Sequence, residues 1–400
     1  MVDVKVAYFV PDLTDSAARR RVRMLVRGGA EVAVAGFRRS ASPVAELDGE
    51  PVLDLGRTQD GRLLRRAASA VRATFDRERL ARFARGADGI VARNLETLLP
   101  AARAQALSPS KPPLVYECLD IHRLLLSPRG DGGLLRALED RLWRKVDLGL
   151  TSSPAFIRNY FVARGFPAPI CVIENKVLAL EPGERPNPHP RPAAGPPWRI
   201  GWFGIIRCRR SFDLLSRLSR AAGGAIEVVL RGKPSMASFS DLEARVADEP
   251  FIHFASSYRN PEDLAAIYGD VHFAWAVDYF EAGGNSEWLL PNRIYESCAY
   301  GAPPIALAGV ETGRWLAARG VGLTLAEPVA DRLGETLGRL DAPAYAELAA
   351  RVARLPAADV VCGDDECRAL VNALHIVARR KRERADAAAP IGQPSAEPAP

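Results

Sequence analysis

The sequence predicts an α/β protein of two similar domains, from its length, its alternation of short apolar runs with helical stretches, and a proline-rich break near the middle. At 400 residues the chain exceeds the size at which a single hydrophobic core stops growing, so two cores are expected. Hydrophobic residues make up 48% and charged residues 26%, ordinary proportions that supply enough apolar side chain for both.

Taken in order, Val4–Val10 reads as a buried strand, 11–16 as a polar turn, and the next stretch as a helix ending near Gly28-Gly29. Residues 31–37 form a second strand. Further apolar runs at 89–92, 114–116, 148–151 and 170–173, with helical stretches between them, give the alternation of a parallel sheet. The first domain is therefore 1–178. Residues 181–197 hold seven prolines, which fit neither helix nor central strand, so 179–198 is read as a semi-rigid linker. Short strands resume at 199–203, 225–230, 251–254, 271–276 and 304–307, giving a second α/β domain at 199–364. A closing helix is expected at 365–385, and the Ala/Pro-rich 386–400 is expected to be a disordered tail.

The net charge of +6 is compatible with nucleic acid, anionic lipid or a phosphorylated small molecule. Arginine outnumbers lysine and alanine is abundant, a pattern that a GC-rich genome also produces, so isolated arginines carry no argument. Aromatics are 7% and no basic-aromatic platform occurs, which counts against nucleic acid as partner. Six scattered cysteines without a CxxC pair indicate neither a zinc site nor a disulfide framework. No signal peptide or long apolar run is present, so the expected location is cytoplasmic, with peripheral contact at the inner face of the plasma membrane. That contact would fall to the stretch holding Leu63, Leu64, Ala67, Val71 and Phe75 among Arg62, Arg65, Arg66, Arg72, Arg77 and Arg79, a pattern able to rest on anionic lipid, although the same apolar face also suits the core.

The most informative stretch is 285–306, NSEWLLPNRIYESCAYGAPPIA. Pro291 suits a first helical turn and Gly301 its stop, and a strand starts at Pro304. Asn292 and Glu296 are then four apart on one face near the positive helix end, with Arg293 beside them. A carboxylate there accepts hydroxyl hydrogen bonds from a ribose, while first-turn N–H groups receive a diphosphate. Two further strands end in Gly-basic turns: 200–210, IGWFGIIRCRR, and 228–233, VVLRGK. Arg207, Arg210, Arg231 and Lys233 are expected at one strand-end crevice, where cations stabilise a departing nucleoside diphosphate.

These motifs resemble those of GT-B glycosyltransferases, with the P-N-K/R-x-x-E … G-x-P helix start as the main match. The similarity is greatest to bacterial exopolysaccharide glycosyltransferases of the succinoglycan-biosynthesis type. The resemblance implies two Rossmann-like α/β domains with a cleft between them and a C-terminal closing helix. It also implies that Glu296 holds the donor ribose. The family pairs that glutamate with another eight positions earlier, but position 288 is Trp288, so Glu287, Asn285 or backbone groups are expected to meet the donor sugar. In the first domain, 115–123 resembles a cleft-lining segment, which makes Asp120 and His122 candidates near that sugar. The loop after the first strand approaches the acceptor in this family, so Asp12 or Asp15 would be the base of an inverting reaction. Residues 173–177, IENKV, resemble the family's I-x-N-G-V segment, with Lys176 in place of the glycine.

The implied activity is metal-independent, cofactor-free transfer of a hexose from a UDP- or GDP-sugar to a saccharide acceptor, lipid-linked in exopolysaccharide or other cell-surface polysaccharide synthesis. No Asp-x-Asp motif occurs. Two other readings use the same contacts: a GT-B sugar-nucleotide epimerase, and a non-catalytic nucleotide-sugar-binding scaffold.

Overall fold

The computed structural model describes residues 4–40, 42–58, 63–127, 132–179, 186 and 191–387. The strands of the first domain are β1 (Val4–Val10), β2 (Ala30–Arg38), β3 (Glu46–Leu47), β4 (Glu50–Arg57), β5 (Gly89–Arg93), β6 (Leu114–Cys118), β7 (Leu148–Thr151) and β8 (Ile170–Val172). They form one sheet in the order β3-β4-β2-β1-β5-β6-β7-β8. All pairs are parallel except the β3–β4 hairpin. Alternation along β1 explains its burial on both faces: Val4, Val6, Tyr8 and Val10 enter one core, while Ala7 and Phe9 enter the other.

After β9 (Val177–Leu178), the second domain contributes β10 (Trp198–Ile206), β11 (Ile226–Pro234), β12 (Ile252–Phe254), β13 (Phe273–Trp275), β14 (Pro304–Leu307) and β15 (Leu323–Leu325). Their order, β12-β11-β10-β13-β14-β15, is wholly parallel. In each sheet the order reverses beside the first strand, between β1 and β5 and between β10 and β13. A ligand crevice opens at the carboxyl ends of strands flanking such a reversal.

The closing helix runs from Asp364 to Ala387, longer than expected by a residue or two at each end. It packs on the first domain, with Leu370, Val371 and Leu374 in the same core as β1. It also pairs Lys381 with Asp147 at 2.7 Å and Arg382 with Asp88 at 2.9 Å. Gly28 ends the Ser16–Arg27 helix where this helix crosses. A Cβ there would lie 2.3 Å from the Cys367 carbonyl oxygen, so only glycine permits the approach. Just before the closing helix, β16 (Val361–Cys362) pairs with β9, so the chain crosses between domains twice, side by side.

Most of the linker read at 179–198, and nearly all of the tail, lie outside the described residues, as do the side chains of residues 62–67 in the lipid-facing stretch. Farther along that stretch, Val71 and Phe75 are exposed, while Ala70 and Ala73 pack under Phe37. Among the described residues no helix is long and apolar enough to cross a membrane.

Candidate active site

Glu296 lies in the second turn of the Asn292–Ala299 helix and is 5% exposed. Pro291 is the N-cap, not a first-turn residue, because its ψ of 151° is extended. The Glu296 carboxylate accepts from Asn260 Nδ2 at 2.9 Å and from the Tyr268 hydroxyl at 3.0 Å. Burial raises its pKa, partly offset by Asn260, Tyr268, Arg20 and Arg293. A cavity of about 320 Å³ opens against this group, and Arg19, Arg20, Arg23, Asn260, Asn292 and Glu296 are among the residues that line it. The three arginines come from the Ser16–Arg27 helix of the other domain, so the cavity lies between domains.

Arg20 ties this wall to the domain crossing, donating to Asn175 Oδ1 at 2.7 Å and to the Asn175 carbonyl at 3.2 Å. Burial first, then Arg21 and Arg93, pull its pKa down to about 10, while Glu296 and Asp15 oppose the shift. It remains a cation at neutral pH. Arg293 donates to the Trp275 carbonyl at 3.2 Å.

At the end of β10, Arg207 lies 3.7 Å from an Asp278 oxygen and 4.6 Å from the centre of the Phe280 ring. Glu281 shares this neighbourhood. Burial raises its pKa, Asp120 and Asp278 add to the rise, and Arg207 and Asn285 oppose it. Arg231 donates to the Ala255 carbonyl at 3.2 Å, and Lys233 is exposed one strand away. Arg210 is not brought into this group. Its guanidinium pairs with Glu327 at 2.6 Å and stacks 4.0 Å from the Tyr279 ring centre, so those partners direct it elsewhere. Glu287 is exposed and accepts from Gly283 N–H at 2.9 Å.

Asn285 is buried and faces the first domain. Its Nδ2 donates to Asp120 Oδ1 at 2.5 Å, and its Oδ1 accepts from Ile121 N–H at 3.3 Å. His122 caps the short Arg123–Leu126 helix, with Nδ1 accepting from Leu124 N–H at 3.2 Å.

The two remaining candidates have structural partners. Asp12 accepts from Thr14 N–H at 2.9 Å and Thr14 Oγ1 at 2.8 Å, and pairs with Arg39 at 2.9 Å. Asp15 caps the Ser16–Arg27 helix through Ala17 N–H. Beneath this loop, buried Glu117 accepts from the Tyr8 hydroxyl and Arg21 Nε, each at 2.5 Å. Burial opposes its ionisation, yet Arg21, Arg93 and Tyr8 hold its pKa below the ordinary value.

The arrangement thus presents a hydroxyl-accepting carboxylate in an interdomain cavity lined by several arginines, and a further cation, Arg207, at the end of β10. Arg20, Asn260, Tyr268 and Glu281 are absent from the motif-based reading. The one signal for Arg20 is the Arg19-Arg20-Arg21 run in the helix after the first loop.

No protein-family model matches the chain. The succinoglycan biosynthesis protein ExoL of Rhizobium meliloti (strain 1021) is 46% identical over 375 residues, covering 93% of this chain and 93% of that protein. Among solved structures, the sucrose-phosphate synthase of Thermosynechococcus elongatus superposes with a TM-score of 0.65 at 13% identity, over 96% of this chain and 100% of that one. Anabaena Alr3699/HepE in complex with UDP and glucose gives 0.62 at 15% identity, over 96% and 100%. The lipopolysaccharide outer core galactosyltransferase WaaB gives 0.59 at 15% identity, over 93% and 99%. At these identities the likeness is one of fold.

Proposed function

The chain belongs to the family of the succinoglycan biosynthesis protein ExoL, exopolysaccharide glycosyltransferases with the GT-B fold of two Rossmann-like domains, and from that premise we propose that it moves a hexose from a nucleoside diphosphate sugar to a lipid-linked saccharide. The observation that carries the donor assignment is Glu296, a buried carboxylate held at the wall of a cationic interdomain cavity. In this reading the ribose hydroxyls replace Asn260 and Tyr268 as donors to Glu296, and Asn292 lines the same pocket. Arg207 meets the diphosphate, with Arg231 and Lys233 beside it. Negative charge grows on the leaving diphosphate as the glycosidic bond breaks, and a fixed cation there is worth most in the transition state. Asp120 and His122 face the donor sugar from the first domain. The loop of Asp12 and Asp15 receives the acceptor.

The enzyme works at the inner face of the plasma membrane, where Val71 and Phe75 stand exposed beside exposed Arg72 and Arg77. A docked helix of this kind gains about 1 kcal/mol per basic residue near anionic lipid. Co-sedimentation with phosphatidylglycerol vesicles at low salt, weakened in Phe75→Ser, is the expected outcome; equal recovery with neutral vesicles would remove the membrane from the proposal.

The function is tested by supplying radiolabelled UDP- and GDP-hexoses with lipid extracts from exopolysaccharide-producing cells. Label moving into the lipid fraction is expected. A donor returned as its epimer, or bound without turnover, would overturn transfer in favour of an epimerase or a binding scaffold.

A further inference from the structure

Asn285 opens the short Asn285–Trp288 helix of the second domain and is 2% exposed, and beside Glu281 of its own domain its carboxamide reaches across to the first. One end donates to the Asp120 carboxylate and the other accepts from the Ile121 N–H. The demand is specific, because the facing pair offers one acceptor and one donor. An aspartate at this position would keep the acceptor, lose the donor, and set a further negative charge against Asp120 and Glu281.

The same segment crosses the cleft at three more points. The Leu126 Cδ1 of the first domain comes within 3.2 Å of where a Cβ on Gly284 would lie, so no larger residue fits without displacement. Ser153 Oγ donates to the Trp288 carbonyl at 2.5 Å, while Trp288 and Leu289 pack against the core that holds Ile121, Leu125 and Phe156. Asn175 Nδ2, which shares its side chain with the Arg20 contact, donates to the Leu290 carbonyl at 3.1 Å. Trp288, the residue standing where a sugar-contacting glutamate was expected, is thus an interdomain anchor. Of these contacts, only the Asn285 pair ends on a cleft carboxylate, so only it couples domain closure to the placement of a candidate reacting group.

We propose that Asn285 is a positioning residue: it latches the second domain to Asp120 and Ile121 of the first, closing the cleft over bound donor with Asp120 held in place. A shut cleft keeps water from the reacting sugar, so transfer outruns hydrolysis. That consequence rests on the glycosyl-transfer reading; the latch itself does not.

The test reads interdomain distance between reporters at exposed Lys111 and Glu335, in the full chain with UDP and, separately, GDP. Wild type gives a single short distance. Asn285→Asp shifts the distribution to longer distances and raises the ratio of donor hydrolysis to transfer about tenfold, the scale for losing one hydrogen bond to a charged group. Asn285→Ser, which cannot span the same gap, opens the cleft without adding charge and serves if the aspartate variant does not fold. The exchanged pair, Asn285→Asp with Asp120→Asn, restores a donor–acceptor match in reversed polarity and returns the short distance. Unchanged distances in the single variants, or no restoration in the exchanged pair, would overturn the latch. The distance is read without turnover, so an intact latch in a protein that transfers no sugar would count against the function alone.

Discussion

At the scale of single residues, Glu296 carries two opposed pH effects. Burial raises its folded pKa above the ordinary 4.5. A raised carboxyl pKa favours the neutral form in the fold, so this group's contribution to stability is full below its unfolded value and lost as pH rises through the folded one. Nucleotide binding runs the other way, because ribose hydroxyls need the carboxylate as acceptor. Affinity should therefore fall on acidification, starting at a pH above that of an ordinary glutamate. Glu296→Gln should weaken UDP or GDP binding at neutral pH by about 1–3 kcal/mol, remove this pH dependence, and leave the melting temperature equal or higher. Calorimetric titration across pH 5–8 checks it, and an unchanged affinity would remove Glu296 from the site. Arg207 and Arg210, three positions apart, make a sharper pair. Arg207→Ala should lower turnover about 100-fold with a smaller change in donor binding. Arg210→Ala, whose partners are Glu327 and Tyr279, should leave kinetics unchanged and stability within about 0.5 kcal/mol. Motif reading places both arginines at the diphosphate, because a sequence gives their spacing along the chain but not which neighbours draw each side chain away. The same blindness hides Arg20 and Asn260, which reach Glu296 from 276 and 36 positions away.

At the scale of elements, strands that begin and end on strong signals are legible to the residue. Val4–Val10, Leu148–Thr151 and Pro304–Leu307 occur where their apolar runs place them. The β3–β4 hairpin is not legible: most of β4 is only half-buried, from Val52 to Gly56, so no clean alternation separates it from loop. β15 is a three-residue strand between Gly322 and Ala326, too short to show a period. The ends of β10 and β11 are legible as Gly-basic turns, and the structure adds the reason for their glycines. Gly204 and Gly232 face each other across the strand pair at φ +106° and +133°. A Cβ on Gly232 would lie 1.8 Å from the Gly204 carbonyl oxygen, whereas one on Gly204 meets nothing within 4 Å. Gly204→Ala should therefore cost only backbone strain, about 1–3 kcal/mol. Gly232→Ala should cost more, because the strands must also part, and it should lower turnover by displacing Arg231 and Lys233. Urea midpoints rank the two variants, and equal losses would show that the close approach is relieved without cost.

At the scale of the whole molecule, the closing helix decides whether the domains are independent. In sequence it follows the second domain and is read as a closing helix with no domain assigned to its apolar face. Its partners assign it to the first: Cys367, Leu370, Val371 and Leu374 are buried in the first domain's core, and Arg27 pairs with Asp364. Nothing in an amphipathic pattern says which domain its apolar face will meet. Burying Leu370, Val371 and Leu374 alone is worth about 1.5–3 kcal/mol each, so their sum reaches the range of 5–15 kcal/mol that holds a whole domain folded. The ion pairs add less, since Lys381 and Arg382 are partly exposed and such pairs give about 0–1 kcal/mol. A chain ended after Cys362 should accordingly lose the first domain's unfolding transition in calorimetry while keeping the second's, whose two cores draw almost wholly on residues before that point. It should also lose turnover, because Arg20, Asp120 and the acceptor loop sit on the domain that unfolds. Lys381→Ala in the full chain, by contrast, should shift the melting temperature little and leave turnover intact. A truncated chain that kept both transitions would mean the first domain closes its core without the helix. The two crossings of the chain would then be a tether between self-sufficient halves, not the completion of one of them.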